Sequence, residues 1–141
     1  MTLQRSAGLT LIELLIVVAV LTIMVMLAFP SFQNARKTAE ATKSIGRLKI
    51  TVTSNEQYSL RFGSYASSMD DLLNSGLVAD FDRSPNAAYT YIYTVTGATW
   101  ALNAAPTIAG VTGDVEFYVD QTGLIRFSTS GPATAASPPV D

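Results

Sequence analysis

The sequence predicts an α+β fold, in which a long N-terminal helix packs against a C-terminal antiparallel sheet of about four strands. Three observations predict it. An apolar run over 9–30 carries a single charge, Glu13, and the next charged residue is Arg36. Residues 31–58 are rich in Ala, Lys, Arg and Glu and hold no second proline. From Tyr89 onward the apolar residues alternate with period two, the spacing of a half-buried strand.

The apolar run is the most unusual part of the chain. As a helix, 9–30 would be about 33 Å long at about 1.5 Å per residue, enough to cross a bilayer's hydrocarbon core. A carboxylate inside such a segment costs roughly 2.5–3.5 kcal/mol on insertion scales. Glu13 therefore calls for a partner, and the run holds no basic residue. An ordinary secretory signal would have a shorter apolar region and a small-x-small cleavage site; the positions around Ala28 and Ala35 serve poorly. A plain signal-anchor helix accounts for the length but not for Glu13.

Pro30 removes a donor to the Met26 carbonyl, so a kink is expected there and not necessarily a stop. Over 31–58, Ala35, Ala39, Thr42, Ile45, Leu48 and Val52 recur at three- and four-residue steps. They form a mildly apolar stripe expected to dock the globular part. A connecting region follows over 59–88. Within it Ser67 to Gly76 reads as a short helix, with serine caps, acids in the first turn and glycine at the end. Asp70 and Asp71 are dipole complements and not a catalytic pair, because no companion acid–base group exists. Arg83-Ser84-Pro85-Asn86 is a turn.

The sheet is expected over 89–129. Tyr89, Tyr91, Tyr93 and Val95 alternate with Thr90, Ile92, Thr94 and Thr96. Gly97-Ala98 fits a tight hairpin with glycine first. Trp100 to Asn103 is the return strand, and Ala104 to Gly113 a loop. Val115, Phe117 and Val119 form the third strand. Asp120-Gln121-Thr122-Gly123 is a turn, and Leu124 to Ser128 the last strand. The aromatic residues are assigned to packing, not to stacking on bases or sugars. Asp114, Glu116 and Asp120 do not form a compact calcium loop. Residues 130–141, rich in Pro, Ala, Ser and Thr, read as a flexible or extended tail.

Composition narrows the function. The 141 residues suggest one globular domain plus the apolar segment. There is no His and no Cys, which removes the commonest general base, the commonest metal ligand and any disulfide staple. No Gly-x-Ser-x-Gly and no Gly-rich phosphate loop occurs. No enzyme, cofactor or metal is therefore read from the chain. A net charge of −2 gives no sign of a nucleic-acid surface.

Gly8-Leu9-Thr10-Leu11-Ile12-Glu13, followed by an apolar run and Pro30, resembles the prepilin signature of the type IV pilin and pseudopilin (type IV filament) superfamily. The match covers about a sixth of the chain. The whole is most like a type IVa-type major pilin without the C-terminal disulfide. The resemblance implies a leader over 1–8, cut after Gly8 by a prepilin peptidase that also N-methylates Leu9. It implies a mature helix over 9–58, with 9–30 in the membrane or filament core and 31–58 amphipathic. Glu13 would pair with the N-terminal amine of an adjacent copy; burying both charges together costs far less than burying either alone. Thr22 stands where many pilins have glycine, and its hydroxyl is expected to bond back to the Val18 carbonyl.

The function so implied is the structural subunit of a type IV pilus, a helical homopolymer built by inner-membrane assembly machinery. The subunit would lie in the bacterial inner membrane first and in an extracellular or periplasm-spanning filament afterwards. Charge alone points the other way round: Arg36, Lys37, Lys43, Arg47 and Lys49 outnumber Arg5 and the initiating amine and would hold the C-terminal side in the cytoplasm. The expected orientation follows the resemblance. Within the family the alternative is a secretion pseudopilin or minor pilin, which the stretch Gly63-Ser64-Tyr65 with Asp70-Asp71-Leu72-Leu73 does not separate. Outside it, the alternative is a membrane-anchored binding module that never polymerises.

Overall fold

A computed structural model describes residues 9–78 and 87–140. The chain divides into two units, one ending at Ala35 and one beginning at Arg36. A single helix, α1 (Leu11–Phe62), contributes to both. A short helix, α2 (Met69–Asn74), and four strands follow: β1 (Tyr89–Thr96), β2 (Thr99–Pro106), β3 (Glu116–Asp120) and β4 (Arg126–Ser128). The strands form one antiparallel meander in the order β1-β2-β3-β4. The expected α+β architecture is thus present. The expected turn at Arg83-Ser84-Pro85-Asn86 lies outside the described residues.

In the first unit α1 is apolar on every side and covered by nothing from its own unit. Leu11 is 80% exposed and Val20 46%. The helix runs through Pro30. The Thr22 hydroxyl donates to the Val18 carbonyl at 2.7 Å, as expected, so that this polar group carries its own partner into the apolar segment.

In the second unit α1 buries Ser44, Leu48, Thr51, Ser54 and Asn55, with Leu48 in the core of the sheet and Ser54 on the connecting region. The docking face is therefore rotated from the expected stripe: Leu48 lies on it, with Ile45 and Val52 at its margin, but Ala39 and Thr42 are exposed. Four of these five buried residues are polar, and three of them have partners. The Thr51 hydroxyl donates to the Arg47 carbonyl and the Ser54 hydroxyl to the Leu77 carbonyl. Asn55 accepts from the Tyr93 hydroxyl. Bonded in this way, small polar side chains tolerate burial and let the helix approach a sheet of large aromatics.

The α1 helix ends at Phe62, four residues beyond the expected limit. Gly63 has φ +80°, and its N–H bonds the Ser59 carbonyl, a left-handed cap. In α2 the Ser68 hydroxyl accepts from the Asp71 N–H at 3.1 Å, and the Ser67 hydroxyl donates to the Asp71 carboxylate at 2.5 Å.

On the sheet, Tyr89, Trp100, Leu102, Ala104, Phe117 and Val119 form the buried core with Leu48. β2 extends three residues past the expected Asn103. Pro106 is tolerated there because β3 pairs only with Ala101–Ala104, so no neighbour asks for the missing donor. Residues 130–141, expected to be flexible or extended, are tied down at 137–140 along β4 and at Ala133 on β2. Phe127 N–H bonds the Pro138 carbonyl, Val140 N–H the Ile125 carbonyl, Arg126 the Ser137 carbonyl, and Asn103 the Ala133 carbonyl. Composition suggested mobility, but β4 is an edge strand whose backbone groups need partners.

Candidate functional site

The site expected from the sequence is the start of α1. Gly8 lies outside the described residues. Leu9 and Thr10 precede the helix, and Leu11 is its first residue. Thr10 is the cap. The Glu13 N–H donates to Thr10 Oγ1 at 3.3 Å. In return, the Thr10 N–H and hydroxyl both donate to Glu13 Oε2 at 2.8 Å. This is a reciprocal capping box, Thr-x-x-Glu, which satisfies donors that the helix itself leaves bare.

The box gives the Glu13 carboxylate a neutral partner inside its own chain. Both bonds fall on Oε2, and an ionised carboxylate has room for about four donors, so further acceptor capacity remains on the group. An amine at Leu9 would stand one residue from the cap. Glu13 and Leu9 are thus brought to one end of the helix, with Leu9 75% exposed. Thr10 was missed as a site residue, although the pattern of threonine and a glutamate three residues on, ahead of an apolar run, is a recognisable helix start. Pro30 lies elsewhere, inside α1.

The acidic residues of the sheet have separate tasks. Asp114 bonds Lys37 Nζ with both oxygens at 3.1 Å. Asp120 accepts from the Thr122 N–H at 2.9 Å and from the Thr122 hydroxyl at 2.5 Å, closing the turn to β4. Burial acts to raise its pKa, but bonds from Thr122 and Tyr118 and the charge of Arg126 outweigh it and hold the carboxyl below its usual range.

Comparison with known proteins matches residues 3–29 to the family model for the prokaryotic N-terminal methylation motif. The chain is 29% identical over 135 residues to the type IV wide pilus major component PilA4 of Thermus thermophilus, covering 96% of each chain. The chain thus carries a prokaryotic N-terminal methylation motif ahead of an exposed apolar helix and an α+β fold, and it is similar over nearly its whole length to a type IV pilin.

Proposed function

We propose that the chain is the structural subunit of a type IV pilus, cut after Gly8 and polymerised through the first half of α1. One observation carries this reading: every large apolar side chain from Leu9 to Phe32 is exposed in the single chain. That surface is far larger than a soluble monomer leaves uncovered. Lipid covers it first, and the same face of other copies covers it afterwards. The family likeness supports self-polymerisation and processing by a prepilin peptidase. Delivery by inner-membrane assembly machinery belongs to the same proposal.

Glu13 then has two partners in succession. Thr10 satisfies it in the membrane. On assembly, the N-methylated amine of Leu9 on an adjacent copy adds a charged donor, which sets the axial register and offsets the cost of the buried carboxylate. Pro30 is where α1 yields, since the Met26 carbonyl lacks its usual donor.

The test has two parts. N-terminal sequencing and intact mass of sheared surface material are expected to give a chain that starts at methylated Leu9. Glu13→Ala is expected to insert in the membrane normally and to give few or no filaments. Normal filaments from that variant, or a surface chain that retains residues 1–8, would overturn the reading.

A further inference from the structure

The strands of the second unit turn one face into the core and the other away from it. Trp100 and Leu102 on β2, and Phe117 and Val119 on β3, are core residues, so Ala101 and Tyr118, which alternate with them, belong to the outer face. The register sets the neighbours there. Thr94 of β1, Ala101 of β2 and Asp120 of β3 lie side by side in one row, and Thr96 pairs with Thr99 at the hairpin. Ala101 is the small member of its row, and a hollow of about 230 Å³ opens over it. The tail lies further along β2, where the Asn103 amide donates to the carbonyl of Ala133, itself 1% exposed.

The walls of the hollow offer hydrogen bonds of a particular kind. Thr94, Thr96 and Thr99 line one side. The Thr94 hydroxyl donates to the Ala101 carbonyl at 3.4 Å and the Thr99 hydroxyl to the Thr96 carbonyl at 2.8 Å, so both oxygens are left to accept. Tyr118, Asp120 and Gln121 line the other side. The Tyr118 hydroxyl donates to Asp120 Oδ2 at 3.3 Å, which ties the ring down beside the hollow. Tyr118 is thus an exception to the assignment of aromatics to packing: it is half-buried and lies outside the core that takes Tyr89, Tyr91 and Tyr93. Asp120 Oδ1 already holds both groups of Thr122, and a carboxylate has about four acceptor sites, so one remains on Oδ2. Gln121 is exposed and offers both a donor and an acceptor.

The same lining excludes other ligands. No basic residue borders the hollow, so a phosphate or a nucleic-acid strand finds no countercharge there. Asp120 is its one carboxylate, a poor seat for a divalent cation that takes about six to eight oxygens. A sugar ring suits both halves of the site. Its hydroxyls match a carboxylate, an amide and threonine oxygens, and its C–H face matches a tyrosine ring.

We propose that this hollow is a saccharide-binding site, taking one hexopyranose unit with its apolar face on Tyr118 and its hydroxyls shared among Asp120, Gln121 and the threonines. The site is a property of the single subunit. Only its multiplication rests on the pilus reading: a filament repeats the hollow in every copy, and weak binding at each sums to firm attachment.

The test uses the full chain in a phosphocholine detergent, because a glycoside detergent would compete. Saturation-transfer difference NMR is run with the methyl pyranosides of glucose, galactose, mannose and N-acetylglucosamine. At least one is expected to take up saturation, most strongly at the ring protons of one face. Ala101→Leu fills the hollow without removing a polar group and should abolish that transfer, with thermal unfolding as in the wild type. Gln121→Ala, on the exposed turn, should weaken the affinity roughly two- to tenfold, the range of one hydrogen bond. Transfer to none of the four sugars overturns the proposal. Transfer that survives Ala101→Leu unchanged overturns it too, since sugar then binds elsewhere on the protein. Should Ala101→Leu fail to fold, Gln121→Ala decides, and an unchanged affinity there refutes the site. Filaments play no part in the measurement, so its failure leaves the pilus reading standing.

Discussion

Replacing Tyr93 by phenylalanine tests how the globular unit is fixed to its helix. The Tyr93 hydroxyl lies 2.9 Å from Asn55 Oδ1 and 3.0 Å from the Ala66 carbonyl, so one group on β1 touches α1 and the connecting region together. Asn55 is fully buried, and its Nδ2 has no partner among the described residues. Tyr93→Phe would leave Oδ1 without its tyrosine donor as well, while keeping the ring stacked on Trp100 at 5.9 Å between centroids. Apolar packing is nearly unchanged, so the cost is that of an unsatisfied buried amide, about 1–3 kcal/mol. For a folded unit of this size the melting temperature should fall by roughly 4–20 °C. Thermal unfolding of the full chain in detergent, followed by the near-ultraviolet dichroism of its single tryptophan, would report it. Adding Asn55→Leu removes the stranded amide at similar volume and should recover most of the loss. A Tyr93→Phe chain that melts at the wild-type temperature, or a double variant that loses the sum of the two single changes, would refute the coupling.

Four further outcomes are expected. Tyr89 and Tyr93 are both pushed up to about 12, chiefly by burial, so the fold favours their neutral forms. Their contribution is whole below the ordinary tyrosine value near 10 and is lost as pH rises from about 10 to about 12; unfolding titrations should show this alkaline limb, flattened in Tyr93→Phe. Asp71, held low by the hydroxyls of Ser67 and then Ser68, acts in the opposite sense, giving stability above its ordinary value that fades as pH falls through the lowered one. Gly113→Ala would place a Cβ 2.6 Å from the Tyr89 hydroxyl oxygen and should cost about 1–3 kcal/mol in thermal unfolding, whereas Gly46→Ala meets nothing within 4 Å and should add about 0.5–1 kcal/mol to the unassembled subunit. Thr10→Val removes the hydroxyl that Glu13 both donates to and accepts from, at about 0.5–2 kcal/mol of helix stability; faster amide exchange at Glu13, restored by Thr10→Ser, is the check.

What the sequence made legible was local and periodic. The alternation of Tyr89, Tyr91 and Tyr93 marked β1 because each inward ring meets the core, and the pair of serines before Asp70 and Asp71 marked α2 because its cap is chemical. The docking face of α1 was not legible. Its buried residues Ser44, Thr51, Ser54 and Asn55 look like a solvated face until the tertiary contacts are known, and the partners of Ser54 and Asn55 lie 23 and 38 residues away. The anchoring of the tail was not legible for a related reason: Pro138 and Val140 are held by the edge of β4, not by any preference of their own. At the helix start, the reading of Glu13 looked outward for a distant charge and passed over the threonine three residues before it.

The strip over 137–140 turns the outer side of β4 from an open edge into a paired one. With that strip lifted away, the meander and its core would keep their own contacts, but β4 would present a bare strand edge ready to pair with another chain. A few residues without regular structure of their own thus decide whether the sheet ends at β4 or can be extended from it.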